Sequence, residues 1–233
     1  MIFWAGKSSD DVNVVVEHYP VRIHAGKKQN AQPIPGRNGD LIFSEKAYSN
    51  YIQPYDIYIS AEEPRLPAIS RRVAEWLCAP EEYQRLEDCY EPDIYRMACY
   101  SGPEEIENIL NRFGRVTLQF NCKPQRFLKS GEQPVTVKSG TVLHNSTAFE
   151  ALPLIRITGS GAGRLQVGEY VVEIKSLSSA ITLDSELEDA YNGAVNLNST
   201  ISAPEFPVLV GGDNEISFTG NWNVEITPRW WTR

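Results

Sequence analysis

Over much of this chain apolar and polar residues alternate with a period of two, the signature of half-buried strands. The clearest stretch is 114–122, where Val116, Leu118, Phe120 and Cys122 share one face and Arg115, Thr117, Gln119 and Asn121 the other. Such alternation predicts an antiparallel sheet with one face on a core and the other toward water or a neighbouring subunit. Tyr55, Ile57 and Ile59 share a face in a second strand, and residues 12–16 begin an extended β-branched segment. One helix stands out over residues 67–78. Ile69, Val73, Trp76 and Leu77 fall on a single stripe, Pro67 suits the first turn, and Pro80 lies just past the end. Residues 81–89 are expected to form a short second helix. Residues 103–112, ending at Gly114, are expected to form a brief helical turn with Ile106, Ile109 and Leu110 inward.

Pro33 and Pro35 break the early extended run. Pro35-Gly36 suits a type II turn, because proline presets the first central residue and glycine accepts positive φ at the second. Asn38-Gly39 is a hairpin signal for a related reason. Pro35, Gly36, Arg37, Asn38 and Gly39 are therefore expected at the tip of a projecting hairpin or corner.

Residues 124–134 are polar and turn-rich, which places a boundary between a domain over 1–130 and a second over 131–233. Beyond it, turns recur every 8–12 residues or so, the spacing of a sandwich or barrel. Strands are expected at 135–138, 141–144, 153–158, 164–167, 170–174, 180–183, 194–197, 206–209, 215–219 and 222–227. The fold class is mainly β, with the second half an all-β sandwich.

The chain has 233 residues, room for one large domain or two of about 115 each. Hydrophobic residues make up 42% and charged residues 22%, ordinary values for a globular protein. The net charge of −8 argues against a surface that neutralises phosphates, so sequence-specific nucleic-acid binding is not expected. The longest apolar run falls well short of the ~20 residues of a membrane span. The N-terminus shows no signal-peptide pattern. The spacings of Cys78, Cys89, Cys99 and Cys122 fit neither a zinc knuckle nor a disulfide framework, so they are expected as reduced, packed thiols. Asn145-Ser146-Thr147 and Asn198-Ser199-Thr200 match the glycosylation pattern but are expected as polar turns.

Candidate chemistry is sparse. The run Gly159, Ser160, Gly161, Ala162, Gly163 invites a phosphate-loop reading, but strand residues follow it where a helix is needed, so a hairpin loop is expected. His18, His24 and His144 are scattered and form no metal-ligand pair. No nucleophile elbow is present. Glu62-Glu63, Glu81-Glu82, Glu104-Glu105 and the 186–189 cluster read as turn or first-turn acids. No catalytic residue, metal ligand or cofactor is expected. Trp222 alternates with Val224 and Ile226, which favours core packing. Trp230 and Trp231 divide between core and interface.

Several segments, in order, resemble the distal tail (Dit) proteins of siphophages, the long-tailed non-contractile bacteriophages. They are the 34–39 loop, the 69–77 helix ending in Trp76-Leu77, and the 114–120 strand continuing through Asn121, Cys122, Lys123 and Pro124. The second half adds residues 151–157, 181–186 before Ala190-Tyr191, Phe206-Pro207, and Pro228-Arg229-Trp230. The resemblance implies an N-terminal β-sandwich carrying a helix and a hairpin, and a C-terminal galectin-like, jelly-roll sandwich. It implies a homo-hexameric ring, single or stacked in pairs, at the tail tip of the virion, assembled in the bacterial cytoplasm. The major tail-tube protein, a tail-tip protein and the tape-measure protein are its implied partners, and DNA leaves through its channel. Pro35 to Gly39, Arg115, Thr117, Gln119, Arg229, Trp230 and Trp231 are the implied family-motif or interface positions. Long arms or inserted carbohydrate-binding modules, known in relatives, have no room here. A carbohydrate-binding module for host adsorption, using Trp222 or Trp231, is the alternative, and a β-sandwich hydrolase ranks last.

Overall fold

A computed structural model describes residues 1–60 and 65–233. The chain divides into two compact units, Met1–Arg126 with Arg233, and Phe127–Thr232. Both are built mainly of antiparallel strands.

In the first unit the strands are β1 (Ile2–Trp4), β2 (Lys7–Ser8), β3 (Val14–Val16), β4 (Lys27–Pro33), β5 (Asp40–Tyr48), β6 (Tyr51–Ile59), β7 (Gln84–Asp88), β8 (Ile94–Gly102) and β9 (Arg115–Leu128). The helices are α1 (Leu66–Cys78) and α2 (Ile106–Phe113). The main sheet runs β2-β1-β7-β8-β9-β6-β3, and β4 and β5 form a separate two-stranded ribbon. β6 pairs with β9 along its length, with Tyr55 opposite Leu118 and Ile57 opposite Val116. The inward residues of both strands, together with Trp4 and Leu86, build the core. Phe120 is its aromatic centre, 4.9 Å from the Trp4 ring and 5.9 Å from those of Tyr55 and Tyr100. The stripe Ile69, Val73, Trp76 and Leu77 of α1 packs into this core, and the Trp76 indole donates to the Trp4 carbonyl at 3.1 Å. α2 buries Ile106 and Leu110 and ends where Gly114 turns left-handed at φ +66.

Charges are buried in this core as well. Arg96 of β8 lies 3.2 Å from Asp88 of β7 and also pairs with Glu91. Asp88 is solvated by the Tyr55 hydroxyl at 2.8 Å and by the Tyr90 and Glu91 amides at 2.9 Å. Arg126 reaches Glu91 at 3.5 Å and donates to the Ile23 carbonyl at 2.9 Å, tying the irregular 19–23 segment to the sheet.

The second unit contains β10 (Val135–Val137), β11 (Thr141–Asn145), β12 (Leu154–Val167), β13 (Tyr170–Leu177), β14 (Ala180–Asp184), β15 (Asp189–Asn192), β16 (Val195–Asn196), β17 (Ile201–Ser202), β18 (Gly212–Thr227) and β19 (Trp231–Thr232). Two long strands, β12 and β18, organise it. The first half of β12 pairs with β14 and the second with β13. β18 likewise pairs with β11 early and β10 late. Both strands bend where their mutual register shifts, between Ser160 and Arg164, so each serves both layers of the sandwich. Between the layers lie Ile155, Ile157, Leu165, Val167, Ile216, Val224 and Ile226.

Four expectations are corrected. Residues 81–89 are not a helix but contain strand β7. Leu86 and Asp88 alternate inward, 0% and 3% exposed, and pairing to β1 and β8 overrides local helix preference. Residues 153–158 and 164–167 are one bent strand, as are 215–219 and 222–227, and the 159–163 run is the bend, not a hairpin loop. Residues 206–209 make only a single bridge, Leu209 to Ala151, since Pro207 has no amide to donate to a ladder. The Asn38-Gly39 pair is not a two-residue primed turn, because only Gly39 takes positive φ, at +80.

Candidate assembly surfaces

The first surface is the β4–β5 ribbon. Its tip closes as anticipated at Pro35-Gly36: Gly36 sits at φ +77 and the Arg37 amide donates to the Ile34 carbonyl at 3.2 Å. Every residue from 26 to 46 is exposed. Among them Leu41, Ile42 and Phe43 are 39%, 59% and 52% exposed. A Leu-Ile-Phe run beside a turn motif is a legible signal of an uncovered strand. A two-stranded ribbon with seven or more residues per arm reaches about 20 Å from its base. Alone in water it is marginal, so such a ribbon gains most when another surface covers it.

The second surface is the outward face of the main sheet. Arg115, Thr117 and Gln119 of β9 are all exposed, with Ile52, Pro54, Asp56 and Tyr58 of β6 beside them. Arg115 pairs with Glu17 at 3.1 Å and the Thr117 hydroxyl donates to Asp56 at 2.5 Å. Ile52 is 40% exposed. The face is a mixed, flat, partly apolar plate.

The C-terminal residues of the second unit turn inward on their own domain. Arg229 holds Asp184 with two hydrogen bonds, at 2.7 and 3.1 Å. Burial works against the ionised Asp184, but the two bonds and the charge of Arg229 outweigh it and hold the carboxyl below its ordinary range. Trp231 stacks on Phe149 with centroids 4.5 Å apart, and its indole donates to the Glu150 carbonyl at 2.7 Å. Trp230 and Trp231 are half-buried against the core. Trp222 is 8% exposed, its ring laid over Gly159, Gly163 and Gly220. The glycine run is thus a platform for an indole, which explains its composition without any phosphate.

His144 pairs with Asp213 at 2.6 Å on the open surface. Among the described residues no three His, Cys, Asp or Glu side chains are placed to hold a metal ion. Cys78 and Cys89 are exposed, Cys99 is intermediate, and burial pushes the Cys122 thiol up to about 12. Asn145 is buried and its side chain accepts from the Thr147 amide at 2.9 Å, a polar turn. Glu62 and Glu63 lie outside the described residues. Among the described residues no helix is long and apolar enough to cross a membrane.

Residues 16–122, a stretch that includes the ribbon and the plate, match the family model of the phage tail protein RIFT-related domain. Its fold over nearly the full length is that of the Dit protein of phage SPP1, described as a paradigm of the hub adsorption apparatus in phages infecting Gram-positive bacteria. The TM-score is 0.76 at 16% sequence identity, covering 97% of this chain and 96% of the SPP1 protein. A chain of the phage p2 baseplate in its activated conformation with Sr matches at a TM-score of 0.47 and 9% identity, covering 92% of this chain and 90% of that one. Sequence comparison with curated proteins gives no match.

Proposed function

We propose that this protein is a structural hub at the distal end of a long, non-contractile phage tail, without catalytic activity. It forms a homo-hexameric ring that joins the tail tube to the tail-tip apparatus and leaves a central channel for DNA. The observation that carries this reading is the uncovered apolar ribbon within a phage tail domain. A closed ring needs two different surfaces on each subunit, one received by the other. The ribbon supplies one and the plate around Arg115, Thr117 and Gln119 the other, with Pro35 to Gly39 at the ribbon's tip. The domain over 1–130 forms the ring, and the major tail-tube protein, a tail-tip protein and the tape-measure protein are its partners in the virion. A net charge of −8 per subunit favours an acidic lumen along which DNA slides without sticking. A ring structure with a basic lumen would overturn that last point. A glycan site built on Trp222 is not part of this reading, because that ring is buried.

The test is the native mass of the purified protein by light scattering, with negative-stain images of the peak. A hexamer, or two stacked hexamers, with a central hole is expected. Ile42→Ser/Phe43→Ser is expected to leave a folded subunit that no longer closes a ring. A monomer at every concentration, alone and mixed with the tail-tube and tail-tip proteins, would overturn the proposal.

A further inference from the structure

The tip of the β4–β5 ribbon holds Asn38 in an open setting. The ladder of the ribbon ends at the Pro33–Asp40 pair, and Ile34 to Gly39 form the tip. The Arg37 amide is tied back to the Ile34 carbonyl at 3.2 Å. Asn38 and Gly39 follow that turn, both exposed and outside the ladder, with Gly39 at φ +80. Among the described residues, neither the Asn38 side chain nor the Gly39 main-chain amide makes a hydrogen bond. A Cβ placed on Gly39 would meet nothing within 4 Å, so the approach to its nitrogen is open.

Other asparagines of the chain are held. Asn192-Gly193 is the one other Asn-Gly pair in the sequence. Asn192 is exposed too, but it is the last residue of β15 and pairs with Val195 of β16. That pairing keeps its backbone extended. Asn145 is 1% exposed, and its amide nitrogen donates to the Phe149 carbonyl at 2.9 Å. The Asn198 amide nitrogen donates to Asp189 at 2.7 Å. Asn38 combines a free side chain, a backbone outside the ladder and a glycine next in the chain.

We propose that Asn38 is a site of spontaneous deamidation. The Gly39 nitrogen gives up its proton to base and attacks Cγ of Asn38. A C–N bond forms, the side-chain nitrogen leaves as ammonia, and a five-membered imide results. Water then opens the imide at either carbonyl and leaves an aspartyl or an isoaspartyl linkage. In sum one water is consumed and one ammonia released, with no oxidant or reductant. Glycine favours the first step because it has no Cβ to shield its nitrogen or restrict its rotation. Closing the same ring at Asn192 would turn its backbone out of the extended form and cost its ladder pair. Both products carry a carboxylate, ionised at neutral pH. The tip, whose charges are Arg37 and Asp40, passes from balanced to net negative. The isoaspartyl form also adds a methylene to the backbone between the turn and the Pro33–Asp40 pair. A further consequence rests on the ring proposed above: a carboxylate at the tip must shed water to dock, so converted ribbons dock less well.

The experiment ages the purified full chain in mildly alkaline buffer and maps its peptides by mass spectrometry. A gain of about one dalton at Asn38, with isoaspartate detected by an isoaspartyl methyltransferase, is expected. Asn38 should convert severalfold faster than Asn192 in the folded chain, and that lead should largely vanish in urea. Asn38→Gln should show no conversion on the same timescale and an unchanged melting temperature. An unmodified Asn38, or equal rates at the two sites in the folded chain, would overturn the proposal. Rings are read separately, by light scattering of fresh wild type, aged wild type and Asn38→Asp. Fewer rings are expected from the last two, and rings from Asn38→Asp as numerous as from fresh wild type would overturn the effect on docking. If fresh protein forms no ring, the ring proposal fails and the peptide map still decides whether Asn38 deamidates.

Discussion

Arg96 provides the sharpest test of how the first unit is held together. Its side chain is 2% exposed and so is sealed from water with its partners. Arg96→Met keeps most of the volume and removes the charge. Lost are the 3.2 Å contact to Asp88 and the bond to Glu91. Asp88 then remains buried as a carboxylate with no cation beside it. It keeps the Tyr55 hydroxyl and two backbone amides, three donors between 2.8 and 2.9 Å. Glu91 keeps Arg126. Removing one partner of a buried pair costs about 3–5 kcal/mol, and the three retained donors place the expectation near the lower end, at about 3 kcal/mol. Neutralising the survivor should help: Arg96→Met/Asp88→Asn is expected to recover about 1–2 kcal/mol of that loss. The assay is urea unfolding read by labelling of Cys122. All four cysteines lie in the first unit, and Cys122 is fully buried, so its slow labelling reports the opening of that unit alone. An Arg96→Met protein with unchanged Cys122 protection would refute the reasoning. A double variant as unstable as the sum of the two single changes would refute it too.

Three further outcomes are expected. Arg229→Met should destabilise the second unit by about 2–3 kcal/mol at neutral pH, because Asp184 stays buried without its cation. Asp184 is held below its ordinary range in the folded state, so the stability it contributes is present above the unfolded carboxyl range of about 4 and is lost as pH falls through the folded value. The gap between wild type and Arg229→Met should therefore close in acid, and thermal melts from neutral pH downward that keep it constant would contradict this. Gly163→Ala should cost about 3 kcal/mol or more, since the new methyl would meet the Thr219 carbonyl oxygen at 2.2 Å and the Trp222 ring at 2.5 Å. Chemical unfolding followed by tryptophan fluorescence would read that loss, and an unshifted midpoint would show that the platform is not tight. Ile42→Ser/Phe43→Ser should leave the melting temperature of the unassembled subunit within about 1–2 °C of wild type, because both side chains face solvent. A large drop in calorimetry would mean that the ribbon is part of the subunit's own core.

Local pattern alone was enough for several elements. The alternation of Val116, Leu118, Phe120 and Cys122 against Arg115, Thr117 and Gln119 specifies a one-sided strand, and β9 is such a strand. The Ile69–Leu77 stripe specifies a helix with one buried face, and α1 buries those residues. Pro35-Gly36 specifies a turn that needs positive φ at glycine, and Gly36 has it. These signals act within one turn or one pleat, so a single segment contains them. The rest required distant partners. Leu86 reads equally well as helix or strand until β1 and β8 flank it. The glycines at 159 and 163 resemble a loop until Trp222, some sixty residues away, lies across them. Arg96 and Asp88 look like surface charges until the sheet closes over both. Sequence settles what each segment prefers by itself, whereas burial and paired charge are properties of contacts between segments, and only the folded chain decides those.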